Sequence, residues 1–173
     1  MTSSSVGLVP YTALAGGQTD QRFGPEHRCE PIPPPYMNIT QVAYTTSKIL
    51  ALKHAEEFVK SENPSFDVIH IHPVVVLGRD ELALTTKALD SGSNAYALGP
   101  VLGRREEQAF PASVTHVNDV ALAHVRALDS NVPGNQSFLL SSTGDEGWTV
   151  RIPPPPRFLC LLVLRTNAYI STS

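Results

Sequence analysis

Cysteine, methionine and tryptophan are all scarce in this chain of 173 residues, with two, two and one of each. Cys29 and Cys160 lie far apart, which supports neither a disulfide framework nor a zinc site, so a reducing compartment is the expectation. There is no long hydrophobic run. The best candidate, Phe158 to Leu164, is seven residues, against the roughly 17 or more that a membrane-spanning helix needs. Nor is there a basic excess. With 13 Lys and Arg against 16 Asp and Glu, the net charge of −3 leaves no electrostatic footprint for nucleic acid or an anionic membrane. The first residues carry no basic segment, and their apolar residues are broken by Pro10 and Tyr11, so no secretory signal is expected and a cytoplasmic location is the default. No G-x-x-G-x-x-G turn opens a helix anywhere in the chain.

What is present is the composition of a globular domain, 42% hydrophobic and 17% charged. Thr2 to Val6 is a Ser/Thr cluster that alone reads as a polar tail, and Gly16 to Pro35 reads as an irregular loop dense in Gly and Pro. Asn38 or Thr40 can cap a helix from about Gln41 to Ser61, with apolar Ile49, Leu52, Ala55 and Val59 on one side and Lys53, Glu56, Glu57 and Lys60 on the other. Asn63-Pro64 stops it, and Phe66 to His72 follows as a strand that Pro73 should end, with Val74 to Gly78 turning away. The spacing then predicts a helix over Leu82 to Leu89 and a loop over Asp90 to Gly103. An extended piece over Phe110 to Val117 precedes a helix capped by Asn118 or Asp119 and reaching about Leu128, and Gln136 to Leu140 reads as a last strand. Helices alternating with short apolar strands imply an α/β fold with a parallel sheet, whose ligands bind beyond the carboxyl ends of the strands. From Arg151 the character changes to four consecutive prolines and an apolar run.

One pair of side chains can carry chemistry. Tyr44 and Lys48 are four apart at the head of the long helix, where they share a face. A cation beside a phenol stabilises the phenolate and so eases loss of the phenolic proton. Chance produces such a pair often enough that spacing alone does not establish a site. His70 and His72, two apart on a strand, have no carboxylate or cysteine partner at ligand-like spacing, so no metal site is expected. His116 and Asp119 read as structural groups at a helix start.

Context raises the value of the pair. Val42-Ala43-Tyr44-Thr45-Thr46-Ser47-Lys48 is followed by Pro73, Val76 and Gly78, then by His116-Val117-Asn118-Asp119-Val120-Ala121 with Ala123-His124, and is preceded by Thr2-Ser3-Ser4. In this order the segments resemble the extended short-chain dehydrogenases/reductases, of the dihydroflavonol-reductase, cinnamoyl-CoA-reductase and fungal aldehyde/ketone-reductase type. The resemblance covers roughly Thr2 to Val150. It implies residues 1–150 as the catalytic and substrate part of a Rossmann-like domain, including part of a small substrate-binding lobe, with 151–173 a tail outside it.

The resemblance further implies an NAD(P)H-dependent carbonyl reductase acting on a small-molecule substrate, with NADP favoured over NAD. Tyr44 would be the general acid, and Lys48 would hold the nicotinamide ribose and ease proton release from Tyr44. Ser4, or Ser5 if the alignment slips by one, would position the carbonyl, and Pro73 to Val76 would pass along the carboxamide. The missing glycine-rich half leads to the expectation of a truncated form, with cofactor binding in doubt and another chain covering an exposed sheet edge. The alternatives are a non-catalytic fragment or interaction protein, and an epimerase or dehydratase of the same fold.

Overall fold

A computed structural model describes residues 1–10, 12–13, 21–36, 40–104 and 113–142. The expectations for Asn38, for Phe110 to Ala112 and for the 151–173 tail fall outside the described residues. The first element is a single 3₁₀ turn, Ser5–Gly7. Helix α1 (Thr40–Glu62) leads into β1 (His70–Pro73) and β2 (Val75–Leu77). Two short helices follow, α2 (Thr86–Leu89) and α3 (Asn94–Val101). The described chain closes with β3 (Val114–His116), α4 (Val117–Arg126) and β4 (Ser137–Leu140).

All strand pairs among the described residues are parallel. β1 pairs with β4, with His70 opposite Ser137 and Pro73 opposite Leu140, while β2 pairs with β3, with Val75 opposite Val114. On its other edge β1 receives the N-terminal segment. Thr2 bridges Ile71 in parallel, the Ser3 amide donates to the Ile71 carbonyl at 2.8 Å, and the Ile71 amide to the Met1 carbonyl at 2.9 Å. The Ser/Thr cluster is therefore the end of a strand, not a polar tail, and Ser3 and Ser5 are buried. The α/β class follows as expected.

Helix α1 buries Val42, Thr45, Thr46, Ile49 and Leu52, a stripe at intervals of three and four, and it packs against the first turn. Gly7 shows how closely the turn seats there, since a Cβ on it would lie 3.4 Å from Leu52 Cδ2. The helix ends where its sequence says. The amide of Asn63, in the left-handed region at φ 43°, donates to the Val59 carbonyl, and Pro64 cannot continue the ladder.

Four sequence expectations shift. The strand Phe66 to His72 is shorter and later, starting at His70 and running through Pro73, where no amide is needed because the Val74 amide donates to the Leu140 carbonyl at 3.1 Å before the chain enters β2. The helix over Leu82 to Leu89 shrinks to α2, because the Asp80 carboxylate accepts from the Leu82 amide and makes a turn that leaves Leu82 and Leu84 exposed. Thr85 caps what remains, accepting from the Ala88 amide at 3.1 Å. The expected loop Asp90 to Gly103 contains α3, with Pro100 accommodated in its last turn. The cap of α4 is His116, whose Nδ1 accepts from the Asn118 amide at 3.2 Å, and not Asn118 or Asp119.

Gly78 ties the two sheets' surroundings together. It has φ 148°, and a Cβ there would lie 2.5 Å from Val117 Cγ1. The Asn94 side chain grips its backbone at both ends, with Oδ1 accepting from the Gly78 amide at 3.1 Å and Nδ2 donating to its carbonyl at 2.8 Å. Gly78→Ala is expected to cost about 2–4 kcal/mol, combining backbone strain with the clash on α4, read as a lower urea midpoint at unchanged slope.

Candidate active site

Tyr44 lies in the second turn of α1, and 43% of its surface is exposed. Lys48 is one turn further along the same face, its Nζ 5.8 Å from the centre of the Tyr44 ring, so the structure brings these two candidates together. The next two residues point the other way: Thr45 and Thr46 are buried, and the Thr46 hydroxyl donates to the Ile32 carbonyl at 3.5 Å. The helix is thus rotationally fixed by its buried threonines and aliphatics, which leaves the phenol and the ammonium at the surface.

Ser4 ends the N-terminal strand segment in extended geometry, φ −159° and ψ 151°, and caps the first turn, its Oγ accepting from the Val6 amide at 3.5 Å. That turn packs against α1, so Ser4 and Tyr44 are carried by two elements in contact. Ser5, the alternative, belongs to the turn itself and is buried. Pro73 is buried at the carboxyl end of β1, and Val76 lies half-buried in β2. Ser4 and Pro73 therefore sit at the carboxyl ends of parallel strand segments, the edge at which α/β sheets bind ligands, while Val76 lies within β2, three residues past the end of β1.

Two histidines hold this edge: His72, which no motif singled out, and His124 of the last motif. His72 is fully buried; its Nδ1 lies 3.2 Å from the Ser4 carbonyl and its Nε2 3.3 Å from the Ser137 hydroxyl. A carbonyl only accepts, so Nδ1 carries the hydrogen and Nε2 accepts from Ser137. Burial pushes the His72 imidazole down to about 4, although the bond to the Ser4 carbonyl favours its charged form. Burial also lowers His70, its neighbour on the same sheet face. On α4, His124 donates from Nδ1 to the Val120 carbonyl at 2.8 Å and meets the Thr2 hydroxyl through Nε2 at 2.7 Å. A histidine in a strand, directly before a proline, is the sequence signal for His72. Its partners lie more than sixty residues away. Among the described residues no group of three or more His, Cys, Asp or Glu could hold a metal, and no helix is long and apolar enough to cross a membrane.

The chain is 40% identical over 148 residues to the ketoreductase CTB6 of Cercospora beticola, a match covering 85% of this chain and 41% of that protein. The chain belongs to the extended short-chain dehydrogenases/reductases. A second member, the NAD-dependent epimerase/dehydratase ALT6 of Alternaria alternata, is 38% identical over 96 residues, 54% of this chain and 27% of that one. Among solved structures, Gre2 of Candida albicans in complex with NADPH superposes with a TM-score of 0.64 at 25% identity, over 82% of this chain and 42% of Gre2. No protein-family model matches the chain. The chain spans less than half the length of the extended reductases it matches.

Proposed function

We propose that residues 1–150 form the catalytic and substrate part of an NADPH-dependent carbonyl reductase with Ser4, Tyr44 and Lys48 as its active side chains. The observation that carries this reading is the exposed Tyr44 phenol with the Lys48 ammonium over its ring, on a helix packed against the turn that follows Ser4. This donor set fits the nicotinamide-ribose end of a dinucleotide: an ammonium for the ribose hydroxyls, a phenol free to reach a carbonyl oxygen, and a strand end for the carboxamide. It lacks a glycine-rich turn for the pyrophosphate, which such a domain draws from a preceding strand and helix.

A bound nicotinamide would supply hydride to the substrate carbonyl carbon. As negative charge develops on the carbonyl oxygen, Tyr44 donates its phenolic proton there and Ser4 Oγ donates a hydrogen bond to the same oxygen. Lys48 stabilises the phenolate that remains. Pro73 and Val76 would flank the carboxamide. The ketoreductase relatives favour a ketone or aldehyde substrate over a sugar nucleotide. Were ALT6 the better guide, cofactor would be regenerated within each turnover and none consumed.

Titration of the purified chain with NADPH and NADH, followed by calorimetry, tests the reading. Binding in the micromolar range is expected, with NADPH tighter, either by the chain alone or once an N-terminal Rossmann half with a glycine-rich turn is supplied. No binding and no NADPH-dependent carbonyl reduction under both conditions would overturn it.

A further inference from the structure

A polar chain runs through the layer between α1 and the β1–β4 sheet, away from Tyr44 and Lys48. Register places His70, His72 and Ser137 on one face of that sheet. The Ser137 hydroxyl donates to His72 Nε2 and accepts from the Arg28 guanidinium at 3.1 Å. Arg28 is in turn paired with Glu56 of α1, Nη2 to Oε1 at 2.6 Å and Nε to Oε1 at 2.8 Å. At the other end, His72 Nδ1 donates to the Ser4 carbonyl, which also accepts from the Gly7 amide at 3.1 Å. Glu56, Arg28, Ser137, His72 and Ser4 thus form one relay joining five segments of the chain.

We propose that His72 is a positioning residue: it pins the Ser4 carbonyl to β1, and so aims the Ser4 hydroxyl, with its own ring held by Ser137 and the Arg28–Glu56 pair. The role of the hydroxyl rests on the reductase reading; the pinning does not. The geometry requires one tautomer of a buried ring with both nitrogens engaged, which leaves the imidazole no freedom to rotate. A histidine is suited to this place because it donates at one end and accepts at the other across the width of a ring. With His72 replaced, the Ser4 carbonyl retains the Gly7 amide, and the tie between the sheet and this segment ends one residue earlier, at the Ser3 amide on the Ile71 carbonyl.

The test uses the full chain with three substitutions. His72→Phe keeps the ring volume and removes both hydrogen bonds, while His72→Asn keeps a donor near the Nδ1 position. Amide hydrogen exchange at Val6 and Gly7, which donate to Ser4, is expected to quicken tenfold or more in His72→Phe, with Ile49 and Leu52 of α1 within twofold; His72→Asn should return Val6 and Gly7 to within threefold of wild type. In the wild type the ¹⁵N shifts of His72 should show a protonated Nδ1 and an accepting Nε2 at neutral pH. Unchanged exchange at Val6 and Gly7, or quickening spread equally over α1, overturns the proposal. Ser4→Ala separates the two claims. If carbonyl reduction survives Ser4→Ala while His72→Phe frees the turn, the catalytic reading of Ser4 fails and the positioning role stands. If Ser4→Ala abolishes reduction and His72→Phe leaves exchange and kcat untouched, the positioning role fails alone.

Discussion

Tyr44→Phe is expected to lower the rate of NADPH-dependent carbonyl reduction by a factor of about 10²–10⁴ with cofactor affinity nearly unchanged. The phenylalanine ring keeps the packing of the second turn of α1 and the face over which the Lys48 ammonium lies, and only the proton donor disappears. The contribution at stake belongs to the transition state, where the carbonyl oxygen takes on charge, so the loss should fall on kcat. Steady-state kinetics by NADPH absorbance, in the form that binds cofactor, decides it. A rate within threefold of wild type would leave Tyr44 without its assigned role. Because the side chain is substantially exposed, the melting temperature should barely move, which distinguishes lost chemistry from lost folding.

The second large effect is on stability against acid. His72 is held neutral in the fold down to about pH 4, whereas an unfolded histidine takes up its proton near the ordinary value of 6.5. Between those values the unfolded chain binds more protons, so stability rises with pH through the window. This contribution is complete above about pH 6.5 and is lost as pH falls towards 4, by at most about 3 kcal/mol. The groups facing the ring act in opposing senses: Arg28, from the segment before α1, and His70, on β1, hold it neutral, while Glu56 on α1 and the Ser4 carbonyl favour its charge. Burial outweighs them. Urea midpoints measured from pH 7 to 4.5 should therefore fall more steeply in the wild type than in His72→Asn, and parallel curves would show that His72 does not titrate as the structure requires.

The helix bearing Tyr44 and Lys48 could be read almost to its ends, since apolar spacing, charges on the opposite face and Asn63-Pro64 all act locally. Pro73 as the end of a strand was legible for the same reason. α3 was not, because Gly99, Pro100 and Gly103 are individually helix breakers, and only the seat of Asn94 against Gly78 shows why a helix forms there. Nor was the cap of α4, since His116 takes by a ring nitrogen the place that a hydroxyl or carboxylate usually fills. At the site, Tyr44 and Lys48 were visible because their spacing is written in the chain. The environment of Ser4 was not. Ile71, which pairs with Thr2 just ahead of it, and His72, which bonds its carbonyl, lie more than sixty residues downstream, and no local pattern encodes a pairing at that distance.

Val74, the single residue between Pro73 and Val75, is where one continuous backbone leaves the β1–β4 sheet and enters the β2–β3 sheet. Side chains alternate along a strand, so this residue sets the parity of everything after it. With one residue in the gap, Leu77 is buried and Gly78 arrives against Val117 and Asn94. With none or two, the same letters would present their opposite faces. The Pro-x-x-Val-x-Gly spacing is thus a reading frame as well as a motif: the count between proline and glycine matters as much as their identities.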